Sequence, residues 1–263
     1  MKAIWDACGW VGRLAVGLAV ILGIGKPVVA APHPSPEAAG QALVARLLAR
    51  APESAQTNRG ALVVRPPRGT RPVFEVPLEI AVYPTRTGWG SFYQAGPTPD
   101  GRRVRLWIER VGDGPPRYWK AEVGPGESWP ETGQPVESEA LMQRFAQSDF
   151  WLADLGMQFL YWPRQRLIRS EMRRGQFCDV LESEDPAGPT VGYGRVRAWW
   201  DRDTGGLVHA EALDTRDRVW KEFSPRVFRK IEGRWEVTEL EMIDRQAGSR
   251  TRLVLQPGSE GQK

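Results

Sequence analysis

Residues 71–83 read RPVFEVPLEIAVY. Phe74, Val76, Leu78, Ile80 and Val82 occupy every second position, and Glu75, Pro77 and Glu79 lie between them. Side chains along a strand alternate between faces, so this stretch predicts a strand with one apolar face. A helix would need apolar residues three and four apart. Pro77 has no N–H to give to a ladder, which predicts an edge strand or a bulge.

The same period continues on both sides. In residues 102–110, Val104, Leu106 and Ile108 share a face, flanked by Arg103, Arg105 and Glu109. Residues 61–65, 89–95 and 116–121 read as further strands. So do 164–173, 176–182, 194–200, 207–213, 218–228, 234–243 and 249–255. Short turns at 201–206, 214–217, 232–233 and 245–248 join the last strands, which favours antiparallel neighbours in a meander. Residues 124–134 are a Pro- and Gly-rich connection.

Helical spacing shows in three places. Residues 37–50 carry Leu43, Val44, Leu47 and Leu48 on one stripe, stopped by Pro52. Residues 139–147 and 149–160 follow as two short helices. The second carries Trp151, Leu155 and Phe159 with Leu152 beside them, and Ser148 or Asp149 as its N-cap. About a dozen strands and three helices predict an α+β fold, mostly β. A single strongly curved antiparallel sheet is expected, with the helices lidding its concave face.

The first thirty residues stand apart. Lys2 and Arg13 precede the apolar run 14–24, and Val28, Val29 and Ala30 supply small residues before a cleavage point. The run is shorter than the roughly 20 residues a spanning helix needs, so residues 1–30 read as a signal peptide cleaved after Ala30. An uncleaved N-terminal anchor is the competing reading. Residues 31–36 form a Pro-rich tether and 37–263 the folded domain. Export to the periplasm follows. Cys8 precedes the apolar run, so it does not fit a lipid-modified cysteine, and Cys178 is left as a buried small hydrophobe.

The whole chain carries a formal charge of +4. Lys2, Arg13 and Lys26 against Asp6 leave +2 for residues 31–263, too small an excess to argue for a nucleic-acid partner. The basic run 164–174 has acidic neighbours in Glu171, Asp179, Glu182 and Glu184, which suits the solvated face of a strand better than an anion site. The two histidines are His33 and His209, a poor basis for a histidine base or a metal site. The stretch WWDRDTGG, residues 199–206, could be a metal loop or a carboxylate pair. An EF-hand would need Glu at its twelfth position, which is Ala212. Asp tolerates turn conformations and Gly supplies positive φ, so a hairpin turn explains it. Trp199 and Trp200 then fall on opposite faces of the strand. Phosphate-loop, dinucleotide and Gly-x-Ser-x-Gly patterns are absent from the sequence. No enzyme activity and no cofactor are expected.

Several segments together resemble the outer-membrane lipoprotein-sorting proteins of the LolA/LolB-like superfamily. They are SDFWLADL at 148–155, Trp162-Pro163, RGQFCDVLE at 174–182 and RAWWDRDTGGL at 197–207. Lys221-Glu-Phe223, KIEGRW at 230–235 and DRQAGSRTRL at 244–253 continue the likeness. It spans roughly residues 43–255 and is densest from 149 onward. The resemblance implies a half-open β-barrel whose apolar cavity accepts the acyl chains of a lipoprotein or another lipid. It further implies a soluble periplasmic carrier without a cofactor. Such a carrier takes cargo from an inner-membrane transporter and passes it to an outer-membrane acceptor.

On that footing Phe74, Val76, Leu78, Ile80, Val82, Val104, Leu106 and Ile108 are expected to line the cavity. Leu43, Leu47, Trp151, Leu155 and Phe159 would form the lid. Of the tryptophan pair, Trp200 is expected to meet the lipid. The chain is expected to act as a monomer. The competing reading is an accessory module that binds a membrane transporter or another protein and carries no lipid.

Overall fold

A computed structural model describes residues 34–112, 114–186, 188, 192–231 and 234–256. The signal-peptide expectation, its cleavage after Ala30 and the start of the tether lie outside these residues. The described chain is mostly strand: β1 (Gln56–Arg65), β2 (Phe74–Pro84), β3 (Gly88–Ala95), β4 (Arg103–Val111), β5 (Arg117–Val123) and β6 (Gln134–Pro135) form one meander. A second follows: β7 (Arg164–Arg173), β8 (Gln176–Glu184), β9 (Arg195–Asp201), β10 (Leu207–Leu213), β11 (Val219–Ile231), β12 (Arg234–Asp244) and β13 (Ser249–Leu255).

The meanders join through β1 and β13, paired antiparallel from Gly60↔Leu255 to Arg65↔Arg250. The result is one 13-stranded open sheet in the order β6-β5-β4-β3-β2-β1-β13-β12-β11-β10-β9-β8-β7. Its two edges, β6 and β7, are consecutive in sequence. Residues 136–163 therefore carry the chain from one edge of the sheet to the other, and they do so across its inner face. The register shifts all lie in the second meander, in β7, β10 and β11. Bulges bend a strand and increase its twist, which helps this half curl. Among the described residues no helix is long and apolar enough to cross a membrane.

Helix α1 (Pro36–Leu48) begins one residue before the predicted Glu37 and ends two residues before Arg50. Ser35 is the N-cap, its hydroxyl accepting from the Ala38 N–H at 3.2 Å, and Pro36 opens the first turn. The helix packs on the edge strand β7 through Gly40. A Cβ there would sit 2.6 Å from the Gln165 carbonyl oxygen, so only glycine allows this approach. Gln165 ties the contact to the crossing segment, donating to the carbonyls of Phe159 and Trp162 at 2.9 Å each.

The predicted helices at 139–147 and 149–160 are corrected. The first is a single 3-10 turn, Ser138–Met142. The second is reduced to α2 (Leu152–Gly156), followed by a 3-10 turn, Gln158–Tyr161. Tertiary hydrogen bonding overrides the helical period. Asp149 is fully buried and its carboxylate accepts from Arg144 at 2.6 Å, Ser249 at 2.5 Å and Thr251 at 2.8 Å. Arg144 also reaches Asp244 at 2.9 Å. Neither Ser148 nor Asp149 is therefore the cap. The N-cap is Trp151, whose N–H donates to the carboxylate of Asp154 in the first turn at 2.7 Å. Ala146, Gln147 and Met157 have φ of 48°, 59° and 50°, which breaks helical continuity on both sides of α2.

Pro77 also needs correction. Strand β2 is internal, paired with β1 on one side and β3 on the other. The β3 ladder ends at Leu78↔Ala95, and the Pro77 carbonyl, facing that side, accepts from Gly96 N–H at 3.0 Å. The N–H that proline lacks would face the same side, just past the end of the neighbouring strand. Pro77 thus sits at a local edge inside the sheet.

Two apolar clusters fill the inner face. The first packs Leu62, Val76, Leu78, Leu106 and Ile108 against Phe145, Phe150 and Leu152 of the crossing segment. The second joins Leu43 and Val44 of α1 to Trp151, Phe159, Trp162 and Trp200. A third, on the outer face, holds Cys178, Val180, Trp199 and Val208. Cys178 is a free, fully buried thiol there.

Candidate functional site

Between the two inner clusters lies a cavity of about 220 Å³. Its walls come from β2 (Ile80), β3 (Tyr93), β9 (Val196), β10 (Ala210, Ala212) and β11 (Phe223). In strand order β2 and β9 are six steps apart, about 29 Å in a flat sheet. Their side chains meet one cavity only because the sheet curls around it. Phe150, Leu155, Met157 and Phe159 of the crossing segment close the open side.

The walls are apolar apart from one cluster. Lys221, 1% exposed, reaches the cavity from β11 and pairs with Asp154 of α2. The Tyr193 hydroxyl donates to the other oxygen of the same carboxylate. The Lys221 ammonium sits 4.2 Å from the centre of the Trp151 ring, and Trp151 and Tyr193 stack at 5.5 Å. Burial pushes the Lys221 pKa down, against the pull of Asp154. Burial, then the neighbouring carboxylate, hold the Tyr193 hydroxyl well above its usual pKa. The lid helix is therefore pinned to the sheet by a desolvated ion pair inside an apolar chamber.

The residues expected at the site divide into four groups. Ile80, Leu155 and Phe159 line the cavity. Val76, Leu78, Val104, Leu106 and Ile108 share the inner face as expected but lie under the crossing segment as packed core, at most 4% exposed. Phe74 borders that core with the Arg71 guanidinium 4.7 Å from its ring centre, and Val82 is half-buried farther along the strand. Neither of those two lines the cavity.

Leu43, Leu47, Trp151 and Trp200 belong to the second cluster beside the cavity. The tryptophan pair splits across the sheet as the alternation requires. Trp200 faces inward, and Trp199 faces outward, its indole N–H donating to Glu171 at 2.5 Å. Asp201–Gly206 is a hairpin turn: the Asp201 carboxylate accepts from the Thr204 N–H at 3.1 Å, and Gly205 has φ 64°.

Sequence reasoning missed Asp154, Tyr193 and Lys221. One signal was available for the lysine. In VWKEF, residues 219–223, strict alternation places Lys221 on the same face as Phe223, a cation in an apolar row. His209 lies on the outer face instead, its ring nitrogens 2.9 Å from Ser224 and 3.0 Å from Glu211.

Comparison with known proteins bears on the fold. A family model described as "Uncharacterized protein" matches residues 129–258. No curated protein matches the chain. Among solved structures, a DUF1329 family protein from Desulfovibrio piger superposes with a TM-score of 0.68 at 19% identity, covering 88% of this chain and 96% of its own. A putative outer membrane lipoprotein-sorting protein domain from Vibrio parahaemolyticus gives 0.65 at 16% identity, covering 85% and 94%. A LolA superfamily protein from Nitrosomonas europaea gives 0.56 at 17%, covering 82% and 91%. The chain therefore shares the fold of LolA superfamily proteins.

Proposed function

We propose that this protein is a periplasmic carrier that holds an acyl chain, of a lipoprotein or another lipid, in the inner cavity and passes it between membranes. The observation behind this reading is an apolar chamber lined by a curled sheet and partly covered by a single crossing segment. Its fold relatives include a protein described as lipoprotein-sorting. Transfer is binding and release, with no bond made or broken and no cofactor needed. The donor would be an inner-membrane transporter and the acceptor an outer-membrane component.

The cavity volume sets a condition. About 220 Å³ is below the roughly 300–1,000 Å³ usual for ligand pockets, so cargo enters only if Leu155 and Phe159 swing away with the lid. Each buried methylene contributes about 0.8 kcal/mol, so about eight of them supply about 6 kcal/mol towards that opening. The direct test is uptake of a fluorescent fatty-acyl probe by delipidated protein. Saturable uptake at one probe per chain, displaced by unlabelled phospholipid, is expected. Absence of saturable uptake would overturn the proposal.

An accessory role in binding a transporter without lipid has one observation in its favour. Met172 and Phe177, cross-strand partners near the tip of the β7–β8 hairpin, are 63% and 46% exposed. Retention of a membrane protein on the immobilised chain, with no lipid in either, would favour that role.

A further inference from the structure

A second depression, about 540 Å³, lies between α1 and the end of the sheet where Trp89 and Arg110 are paired across β3 and β4. Val44 and Leu48 of α1 face Leu160 and Trp162 across it, and Gln41, Thr87, Tyr161 and Gln165 add polar groups to its walls. Among its described lining residues Arg110 is the one ionised side chain, and none is Asp or Glu. Arg110 is only 6% exposed.

A buried guanidinium is costly unless a counter-charge meets it. The Arg110 guanidinium sits over the Trp89 ring, its central carbon 3.8 Å from the ring centre. Its hydrogen bonds go to neutral groups at the long end of the range: the Ser91 hydroxyl at 3.4 Å and the Gly156 carbonyl at 3.3 Å. The Tyr161 hydroxyl is a third neutral partner. Five N–H donors are available, so at least two remain for a ligand. Two other charged clusters on the inner side answer themselves: Lys221 has Asp154, and Arg144 has Asp149 and Asp244.

We infer that this groove is an oxyanion site in which Arg110, with Tyr161 beside it, receives the phosphate of a lipid head group whose acyl chain occupies the inner cavity. Guanidinium matches a phosphate with two parallel N–H donors, and the Trp89 ring packed against it restrains the side chain. The position suits the carrier reading, on which the lipid half of the inference rests. The Gly156 carbonyl that Arg110 touches lies between Leu155 and Met157 of the inner cavity, so head-group binding would act on the lid itself.

The test uses delipidated full-length protein and three probes: dioctanoyl phosphatidylglycerol, dioctanoylglycerol with the same tails, and glycerol phosphate with none. Calorimetry should show the phospholipid bound at least tenfold more tightly than the diacylglycerol by the wild type. In Arg110→Gln that preference should vanish, and Arg110→Lys should keep part of it. Weak binding of glycerol phosphate, lost in Arg110→Gln, is expected if the phosphate alone is recognised.

Equal affinity of the wild type for the two lipids overturns the site and leaves the carrier reading standing. This comparison needs no variant to fold. If no lipid binds, the carrier reading falls and the lipid half of this inference with it. Glycerol phosphate binding that survives Arg110→Gln would overturn the role given to Arg110.

Discussion

Replacing Asp154 with Ala is expected to lower folding stability by about 3–5 kcal/mol, the usual loss when one partner of a buried ion pair is removed. Three donors lose their acceptor at once: the Lys221 ammonium, the Tyr193 hydroxyl and the Trp151 N–H. Lys221 is 1% exposed and cannot turn to water without moving β11 or the lid. The loss should depend on pH. Burial already depresses the Lys221 pKa below its usual 10.5, and removing Asp154 takes away the largest opposing influence. The unfolded chain then binds a proton that the folded chain gives up, so stability of the variant rises with pH through that window. Above about 10.5 both states hold neutral lysine and this part of the penalty disappears. Chemical denaturation between pH 6 and 10.5 measures both effects. Adding Lys221→Met to an Asp154→Leu change should recover the lysine's share of the loss, because a well-packed apolar pair matches a buried ion pair in energy, while the Tyr193 hydroxyl and Trp151 N–H stay without their acceptor. An Asp154→Ala variant as stable as the wild type at pH 7 would show that the pair does not pin the lid.

Ala212→Phe should abolish acyl-probe uptake, with an affinity loss of at least tenfold, while stability changes little. Ala210 and Ala212 are small residues on the cavity wall, 7% and 8% exposed. A phenyl ring at 212 projects into space that no other side chain occupies, so the overpacking cost of about 1–3 kcal/mol seen in filled cores is largely avoided. The same ring takes the volume an acyl chain would need. Leu106→Ala is the contrasting change. Leu106 is fully buried in the first cluster under the crossing segment, so it should cost about 2–5 kcal/mol of stability and leave probe affinity per folded molecule unchanged. Uptake by Ala212→Phe equal to the wild type would place the acyl chain elsewhere.

Much of the sheet could be read from the chain. Alternation at 71–83 and 102–110 gave the strands and their inner faces, and the short turns of the second half gave the meander. Asp201–Gly206 was legible as a turn because Asp and Gly satisfy local geometry there without help from elsewhere. The rest depended on contacts distant in sequence. Nothing local marks β1 as the partner of β13, which is what makes one sheet of two meanders. The helical period over 149–160 was present but outweighed: Asp149 spends its carboxylate on Ser249 and Thr251, a hundred residues away.

The candidate site shows the same limit. Period two tells which face of β2 or β4 is inward. It does not tell how much of that face the crossing segment will cover. Hence Ile80 reaches the cavity while Val76, Leu78, Leu106 and Ile108 are sealed beneath Phe145 and Leu152. Lys221 was hidden for a related reason, since a lysine on an apolar row reads as an exception until Asp154 is seen opposite it.

The central claim is that the chamber between sheet and crossing segment carries lipid. Native mass spectrometry of the full-length protein, purified gently from the envelope of its own cells, tests this most directly. The expected result is a population heavier than the polypeptide by the mass of one lipid or acylated peptide, lost on delipidation and lost in Ala212→Phe. A protein found only at the mass of its polypeptide, and unchanged after incubation with envelope lipids, would contradict it.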